Sequence, residues 1–362
     1  MTEQIQTAPR LIVVSDSLPE RNGVGAYYVD LLDQLGEHGF EAKLLCPRAE
    51  NGRFRLPLPG DSTQHIYWPS PLRFARRMRA LQPQVIIVAT PGPFGMMGAR
   101  WARKLSVPLL VGFHTHYAGV TDLYQKSVLK YLSRAYFRYV DRMLFKYADQ
   151  VLANSDDMLK LADRLGGKNL ERIGTLLPSA VLKTPIRPHQ GTIQQVLFAG
   201  RLAPEKRIHH VLETAGNLSD IDFVIAGDGP LRNDVLTASR QLPNLKYLGW
   251  LAREDLLEQM DASDALVMPS TLESFGNVAL EAMARARIAL VTDTCGIVNW
   301  PELSDYLIQF SLEESLSDVL QRLRSTVPEQ IQARSEKACQ AARELNRTSL
   351  EHWMQLLRKH VK

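Results

Sequence analysis

The feature that most constrains the fold is an alternation of short apolar runs with segments of helical periodicity. In the first half, the apolar runs predict strands at residues 11–14, 42–46, 85–89, 108–113 and 150–153. Between them, the periodicity predicts helices at residues 26–38, 73–80, 95–105 and 127–147, and another from residue 156. Strands of a parallel sheet have this uniformly apolar character because connecting helices cover both faces of the sheet. The chain is therefore expected to be an α/β protein.

The same alternation restarts after residues 178–192, which hold three prolines and little periodicity. Strands are expected at residues 196–199, 223–226, 245–248, 266–268 and 289–292, and helices at 208–218, 231–240, 254–260 and 276–285. We therefore predict two Rossmann-like, doubly wound domains, residues 1–185 and 191–344. Ligands of such domains bind at the carboxyl ends of the strands and in the crevice between domains.

The composition is that of a folded protein with ample core. The chain has 362 residues, of which 45% are hydrophobic, and two domains are the usual expectation at this length. Its three cysteines, Cys46, Cys295 and Cys339, are dispersed and form neither a disulfide framework nor a metal cluster. Residues 1–10 lack the apolar core of a signal peptide, and the uncharged stretch 81–99 contains three prolines. A cytoplasmic location is expected.

The net charge of +4 hides an asymmetry between the two halves. Residues 1–190 hold 25 Lys and Arg against 16 Asp and Glu, which leaves 18 against 23 for the remainder. The first half is therefore basic and the second acidic. This difference suggests that the two halves contact different partners.

Residues 265–281 have the pattern of an anion site. An apolar strand at 265–270 leads into a Ser/Thr/Glu loop, and Gly276 opens a helix. Unpaired backbone N–H groups and the positive end of the helix dipole would face a ligand above the strand. Phe275, Gly276 and Asn277 would supply that backbone, which suggests a phosphate-bearing ligand.

The segment also carries two carboxylates, Glu273 and Glu281, eight residues apart. A helix would separate their backbones by about 12 Å. Hydrolytic carboxylate pairs lie about 5 to 9.5 Å apart, so the spacing favours two separate ligand contacts over one acid/base pair. The alternative is an amphipathic helix with two solvated glutamates.

A second candidate segment follows the strand at 196–199. In residues 200–206 (Gly-Arg-Leu-Ala-Pro-Glu-Lys), Gly200 ends the strand and is followed by Arg201 and Lys206. Arginine can grip a phosphate with two N–H groups, and lysine adds a point charge. The alternative is that both are ordinary surface cations at a turn.

Gly227 lies in a tight glycine turn at residues 225–230 that lacks the full dinucleotide-binding fingerprint, so a nicotinamide site has weak support. Asp220 and Asp222 precede the next strand, which favours a solvated loop over a metal site.

In the first half, Gly23 and Gly25 lie in the loop after the opening strand, and Gly92, Gly95 and Gly98 follow a later one. Glycines at such places let a ligand approach the backbone closely.

Two histidines, His114 and His116, stand at the carboxyl end of the strand at 108–113. No carboxylate or cysteine stands nearby to complete a zinc site with them, which makes a metal site poorly supported. His114 facing the crevice as a hydrogen-bond donor is the preferred interpretation. The alternative is a purely structural histidine.

Taken together, five segments resemble the retaining glycosyltransferases of the GT-B fold, close to family 4 of that class. They are residues 22–25 (Asn-Gly-Val-Gly), 113–116 (Phe-His-Thr-His), 200–206, 227–230 (Gly-Asp-Gly-Pro) and 273–281, the last matching the family's E-x7-E motif. In order and spacing they cover about residues 10–285.

The resemblance implies a role for each candidate residue. Arg201 and Lys206 would hold the diphosphate of a UDP- or GDP-sugar, Glu281 the ribose, and Glu273 the donor sugar. The backbone of Phe275, Gly276 and Asn277 would approach the sugar, as would His114 from the other domain. The glycine turns at Gly23, Gly25, Gly200 and Gly227 would line the donor site. No metal or other cofactor is expected, and residues 345–362 would form a helix that packs back onto the first domain.

The chain departs from the family pattern at two places. Ala286 and Ile288 stand where the family usually has glycine and proline, and residues 295–299 (Cys-Gly-Ile-Val-Asn) replace a common Gly-Gly-x-x-Glu turn. In relatives, the second segment lies near the donor sugar. The resemblance therefore leaves the identity of the sugar open.

The acceptor is expected to be a membrane lipid or a cell-envelope glycan precursor. The segment through His114, His116 and Tyr117 and the following helix resemble lipid-modifying members of the family. That helix carries four basic residues among aromatic and aliphatic ones, and the first half adds three arginines: Arg134, Arg138, Arg142 and Lys146, with Arg76, Arg77 and Arg79. Such a surface can rest on anionic lipid at the inner face of the plasma membrane, or it can be a solvated basic face. No nucleic-acid partner is indicated.

Two other classes compete with a glycosyltransferase. A GT-B sugar-nucleotide epimerase would modify its sugar without any acceptor. A catalytically idle, glycosyltransferase-like partner subunit should lack the basic pair or the second glutamate, and this chain has both.

Overall fold

The structure, a computed structural model, describes residues 8–19, 23–47, 55–58, 61–115 and 128–361. These residues form two compact units. The first unit takes the described residues up to Leu176, apart from Asp61–Thr63, together with Arg347–Lys362. The second takes Asp61–Thr63 and Leu177–Asn346.

The first unit is built on a parallel sheet of six strands. The strands of this half of the chain are β1 (Arg10–Val14), β2 (Glu41–Leu45), β3 (Arg55–Leu58), β4 (Asp61–Tyr67), β5 (Val85–Val88), β6 (Leu109–Gly112), β7 (Gln150–Ala153) and β8 (Leu170–Arg172). The six-stranded sheet has the order β2-β1-β5-β6-β7-β8, and β3 pairs with β4 in a separate ribbon. Because the order reverses between β1 and β5, the sheet has a topological switch point there.

Helices cover both faces of this sheet. They are α1 (Gly23–Glu37), α2 (Pro71–Leu81), α3 (Pro93–Leu105), α4 (Val128–Tyr147) and α5 (Asp156–Arg164). Alternate residues of β1 enter different cores: Ile12 and Val14 pack with α3 and α4, whereas Leu11 and Val13 pack with α1. This two-sided burial explains why the strands are apolar at every position.

The second unit repeats the architecture with a different strand order. Its strands are β9 (Gln195–Ala199), β10 (Asp222–Ala226), β11 (Leu245–Gly249), β12 (Ala265–Met268), β13 (Ile288–Thr292) and β14 (Ile308–Phe310). The order β11-β10-β9-β12-β13-β14 is that of a Rossmann fold, with its switch point between β9 and β12. The prediction of two doubly wound α/β units is confirmed.

The helices of the second unit again lie on both faces. They are α6 (Ser179–Lys183), α7 (Ile208–Asn217), α8 (Arg232–Gln241), α9 (Arg253–Ala262), α10 (Asn277–Ala284), α11 (Pro301–Ser304), α12 (Leu316–Arg324) and α13 (Pro328–His360). Val196 and Phe198 of β9 face one buried cluster, and Leu197 and Ala199 face the other.

Two arginines hold the proline-rich connection to the second unit. Arg285 is fully buried, pairs with Asp261, and donates to the carbonyl of Thr184 (2.7 Å) and to that of Pro185 (2.6 Å). Arg343 donates to the carbonyl of Val181 at 3.0 Å. These bonds explain why the first unit ends at Leu176 rather than near residue 185, where the sequence pattern places the boundary.

The last helix, α13, is longer than the sequence pattern indicates. Its final turns belong to the first unit, where the buried indole of Trp353 donates to the Tyr27 hydroxyl (2.8 Å). Within the described part of the chain, no helix is both long and apolar enough to cross a bilayer.

Candidate functional site

The switch point of the second unit brings two of the predicted segments together. Strands β9 and β12 are direct neighbours, so the turns that follow them, residues 200–206 and 269–276, meet at one edge of the sheet. The backbone N–H of Thr271 donates to the carbonyl of Glu205 (2.8 Å) and joins the two turns. The carboxyl ends of parallel strands at a switch point are where such sheets bind ligands.

Lys206 and Glu273 form an ion pair across this junction. About a fifth of each side chain is exposed, 21% for Lys206 and 18% for Glu273. Burial acts to lower the pKa of Lys206, but the charge and hydrogen bond of Glu273, together with Cys295 and Glu205, offset burial and raise the pKa above its usual value. Lys206 is therefore a cation at neutral pH, and Glu273 is placed within its reach.

Arg201 has a carboxylate partner that sequence reasoning overlooked. Its guanidinium lies 3.5 Å from the carboxylate of Glu205, which is itself buried. The two residues stand at i and i+4 of the same segment, and this spacing could have predicted the ion pair from the sequence. The junction of the two turns therefore contains two cations, Arg201 and Lys206, and two carboxylates, Glu205 and Glu273.

Glycines make this junction compact. Gly200 (φ 155°) and Gly227 (φ 147°) both have backbone angles that side-chain-bearing residues rarely adopt. A Cβ on Gly227 would lie 1.8 Å from the carbonyl oxygen of Gly200. The turn after β10 therefore lies directly against the turn that carries Arg201.

The loop before α10 is held by the segment that departs from the family pattern. Gly276 has φ 110° at the N-cap of α10, and Phe275 is buried beside it. Gly296 donates its N–H to the carbonyl of Glu273 (2.9 Å), and the Cys295 thiol donates to the carbonyl of Phe275 (3.1 Å). Cys295 and Gly296 therefore fix the backbone that carries Glu273.

Ala286 marks the other departure from the family pattern. It has φ 57°, a left-handed backbone conformation, at a position where glycine is usual. The fold thus keeps the turn without the residue that suits it best.

Glu281 lies in the wall of a pocket that neither Lys206 nor Glu273 lines. It is partly buried on α10, at the opposite end of the motif from Glu273. The pocket is lined by Glu281, Arg253, Leu256, Leu257, Met260, Pro178, Ala180 and Val181. The two glutamates therefore stand in separate surroundings, as the spacing of the motif indicates.

The candidate residues of the first unit have different settings. Gly23 is exposed at the start of α1. Gly25, two residues further on, is buried, and a Cβ there would lie 2.9 Å from Cα of Pro19. His114 is 6% exposed, and burial lowers its pKa to about 4. Asn22, His116 and Tyr117 lie outside the described residues.

The glycine turn before α3 holds a carboxylate of the protein itself. Asp16, which follows β1, accepts hydrogen bonds from the N–H groups of Phe94 (2.6 Å) and Gly95 (3.1 Å) and from the hydroxyl of Thr90 (2.9 Å). A Cβ on Gly92 would lie 2.4 Å from the Asp16 carboxyl carbon. Gly92 therefore makes room for Asp16 and Gly95 donates its N–H to it, so Asp16 takes the place that the glycine pattern suggested for a ligand.

Solved structures define the class to which this fold belongs. The chain superimposes on sucrose-phosphate synthase from Thermosynechococcus elongatus with a TM-score of 0.74 at 16% identity, covering 97% of this chain and 98% of the other. It also matches HepE from Anabaena, solved with UDP and glucose, with a TM-score of 0.70 at 17% identity and coverages of 96% and 99%. At these identities the likeness shows the fold alone, which is GT-B.

Two family models place the sequence within that class. Residues 21–175 match Glycosyltransferase Family 4, and residues 184–330 match Glycosyl transferases group 1. Together the matches span most of the chain, which belongs to these glycosyltransferases. It is a hexosyltransferase that takes its sugar from a nucleotide sugar.

Named relatives add detail about similar proteins. A GDP-mannose-dependent alpha-mannosyltransferase of Mycobacterium tuberculosis is 28% identical over 79% of this chain and 80% of its own length. Its counterpart in Mycolicibacterium smegmatis is 29% identical with the same coverages. The alpha-monoglucosyldiacylglycerol synthase of Streptococcus pneumoniae is 26% identical over 57% of this chain and 51% of its own.

Proposed function

We propose that this protein transfers a hexosyl group, with retention of anomeric configuration, from a UDP- or GDP-sugar to a hydroxyl of a membrane lipid or cell-envelope glycan precursor. The observation that carries the proposal is the cluster of Arg201, Lys206 and Glu273 at the switch point between β9 and β12. A partly buried pair of cations at this place suits a diphosphate.

In this proposal, Arg201 and Lys206 neutralise the charge that develops on the departing nucleotide. Fixed cations in a partly buried site stabilise such charge without reorganising, which is the main source of catalysis in many enzymes. The leaving diphosphate helps remove the proton of the acceptor hydroxyl. The reaction then requires neither a carboxylate nucleophile nor a metal ion.

The remaining contacts are assigned to the donor. Glu281 binds the ribose hydroxyls, and the backbone of Phe275, Gly276 and Asn277 approaches the sugar beside Glu273. Gly200 leaves the turn next to Arg201 open to a phosphate, and Gly227 lets the turn after β10 lie against it. Gly23 and Gly25 let the donor approach the backbone at the start of α1. His114 is assigned a hydrogen bond to the sugar.

GDP-mannose is the first donor to test, because both mycobacterial relatives are named for it. UDP-glucose is the second, since HepE was solved with UDP and glucose. A thermal-shift panel of nucleotide sugars should show stabilisation by one donor. Lys206→Ala and Glu281→Ala should abolish it, whereas the exposed Lys246→Ala and Glu258→Ala should not.

Turnover tests the reaction class. With donor and a lipid acceptor, we expect nucleotide release coupled to formation of a glycolipid whose new linkage has the anomeric configuration of the donor, read by NMR. Release of nucleotide and altered sugar without acceptor would indicate an epimerase instead. No stabilisation by any donor would indicate an idle subunit.

A membrane acceptor is supported by exposed side chains of the first unit. On α4, Tyr131 and Tyr139 are 70% and 61% exposed, and Arg138, Arg142 and Lys146 are exposed along the same helix. A purely solvated basic face gains nothing from large exposed tyrosines, whereas these side chains suit a lipid interface.

Helix α2 has a similar composition. Leu72 is 83% exposed and Trp68, just before the helix, is 55% exposed. The exposed arginines of α2 are Arg73, Arg76, Arg77 and Arg79, while Phe74 and Met78 are buried. Its outward face is therefore basic, with apolar groups near its start.

Flotation with vesicles tests this contact. The protein should float with vesicles that contain anionic lipid at low salt and should not float with neutral ones. Arg76→Glu/Arg77→Glu should weaken flotation, and the exposed Arg240→Glu of α8 should not. Equal flotation of all variants, or none with anionic vesicles, would remove the membrane from the proposal.

A further inference from the structure

Tyr28 and His114 form a buried pair that no motif predicts. Tyr28 lies on α1 and is fully buried, and its hydroxyl is 2.8 Å from Nε2 of His114. The two rings meet edge to face, with centroids 5.4 Å apart. Both residues belong to the first unit, so this pair is defined within one compact body.

The backbone makes specific room for this contact. Gly112, the last residue of β6, lies beneath both side chains. A Cβ there would be 2.1 Å from the Tyr28 hydroxyl oxygen and 2.6 Å from Nε2 of His114. Any residue other than glycine would therefore push the two groups apart, so the pair depends on Gly112 as well as on Tyr28 and His114.

A second tyrosine supports the pair from behind. The ring of Tyr27 contacts both Tyr28 (5.0 Å) and His114 (5.2 Å). Its hydroxyl donates to the carbonyl of Gly174 at 3.3 Å and accepts a hydrogen bond from the Trp353 indole at 2.8 Å. Helix α13 thus supports the rings, but the Tyr27 hydroxyl is engaged away from the histidine.

The chemistry of the two groups sets the direction of the Tyr28–His114 bond. Burial raises the pKa of Tyr28 well above its usual value and lowers that of His114, so both are neutral. A neutral imidazole has one N–H and one acceptor nitrogen. A phenol is the stronger donor and an imidazole nitrogen the stronger acceptor, so the hydroxyl donates to Nε2 and the ring proton is left on Nδ1.

We propose that Tyr28 is a positioning residue that holds His114 as its neutral Nδ1–H tautomer, so that this histidine acts on the substrate only as a hydrogen-bond donor. This inference rests on the proposed contact between His114 and the sugar. In that contact, Nδ1–H of His114 donates to an oxygen of the sugar. Because Nε2 already accepts from Tyr28, the ring offers neither a general base nor a nucleophile.

The first test is spectroscopic and independent of activity. In protein labelled with 15N-histidine, long-range 1H–15N spectra distinguish a protonated ring nitrogen from an unprotonated one, and His114→Gln identifies the signals among the nine histidines. We expect the wild type to carry its proton on Nδ1 and Tyr28→Phe to populate the Nε2–H tautomer. Tyr27→Phe, which removes a neighbouring hydroxyl that does not bond to His114, should leave the tautomer unchanged.

The second test measures turnover. Without the Tyr28 hydroxyl, His114 no longer holds its N–H towards the sugar, so one hydrogen bond between neutral groups is weakened. We therefore expect kcat/KM of Tyr28→Phe to fall up to about tenfold. In a His114→Gln background, Tyr28→Phe should cause no further loss. An Nε2–H proton in the wild type, or the same tautomer in Tyr28→Phe, would overturn the inference. Failure of every variant and the wild type to turn over a nucleotide sugar would instead overturn the proposed function and leave the tautomer result intact.

Discussion

The two units share an architecture but treat their switch points in opposite ways. In the second unit, Lys206 and Arg201 stand beside the turn before α10, and their carboxylate partners leave each of them about one-fifth exposed. In the first unit, Asp16 accepts the N–H groups at the start of α3. One junction therefore holds two cations, each paired with a carboxylate, and the other holds a carboxylate alone at the start of its helix.

This difference has a direct consequence for ligand choice. A helix N-terminus attracts anions because of its unpaired N–H groups and its dipole. In the first unit Asp16 uses that attraction internally, so a second anion would meet like charge. In the second unit, the two cations Arg201 and Lys206 stand beside the turn before α10. The contrast explains on electrostatic grounds why a diphosphate is assigned to the second unit.

The largest effect is expected from Gly227→Ala in the second unit. The added Cβ would meet the carbonyl of Gly200 at 1.8 Å and would require an unfavourable φ, so we expect a loss of about 3 kcal/mol or more in the stability of this unit. Hydrogen-exchange mass spectrometry would show faster exchange confined to the second unit. Gly216→Ala on α7, whose Cβ meets nothing closer than 3.9 Å, is the control.

The next prediction concerns pH and the first unit. Burial raises the pKa of Asp16 to about 6, and hydrogen bonds from Phe94, Gly95 and Thr90 offset this only in part. Between pH 4 and pH 6 the folded protein therefore binds more protons than the unfolded chain, and its stability falls as pH rises through this window. A shift of this size corresponds to about 3 kcal/mol at most.

Asp16→Asn should remove this dependence, because the amide keeps an acceptor oxygen but does not ionise. The measurement is urea unfolding of wild type and variant between pH 4 and pH 7, read as the difference between the two. The exposed Asp33→Asn of α1 serves as the matched control. If Asp16→Asn unfolds in parallel with the wild type at every pH, Asp16 does not titrate as described.

A smaller loss is expected from Gly92→Ala in the first unit. The new Cβ would meet the carboxyl group of Asp16, which can shift only by giving up its hydrogen bonds, so we expect a loss of about 2 kcal/mol. Gly36→Ala on α1, which meets nothing within 4 Å, should be neutral or stabilising. In an Asp16→Ala background, Gly92→Ala should cost much less, and full additivity would contradict the assigned clash.

The smallest effect is a gain. Ala286 has φ 57°, a conformation that costs an alanine about 1 kcal/mol relative to glycine. Ala286→Gly should therefore stabilise the second unit by about that amount, seen as slower exchange of its amides. Ala284→Gly, in the preceding helix, should destabilise the same unit and provides the opposite control.

Much of the fold follows from local patterns. Apolar runs located the principal strands of both sheets, and Gly276 was correctly placed at the start of a helix. Helix α13 shows the limit of this reasoning, because only its end, within residues 345–362, was predicted, whereas it begins at Pro328. Its earlier turns are rich in Gln, Glu, Arg and Ala and carry a sparse apolar stripe, so their helical state depends on packing of residues such as Ile331 and Ala342.

The candidate site divides in the same way. The sequence by itself determined which chemical groups end each strand: Arg201 and Lys206 after β9, Glu273 after β12, His114 after β6 and Asp16 after β1. Only the tertiary structure decided their partners. Lys206 pairs with Glu273, His114 with Tyr28, and Asp16 with the first turn of α3.

The physical reason is that periodicity along one element reports burial of that element alone. Which turns meet depends on the order of strands in the sheet. Because the free-energy cost of closing a loop rises only slowly with its length, turns far apart in the sequence can meet as readily as near ones. Partners 67 residues apart, as in Lys206 and Glu273, or 86 apart, as in Tyr28 and His114, therefore leave no trace in the local pattern. The sequence supplied the charges, and the strand order placed cations at one switch point and a carboxylate at the other.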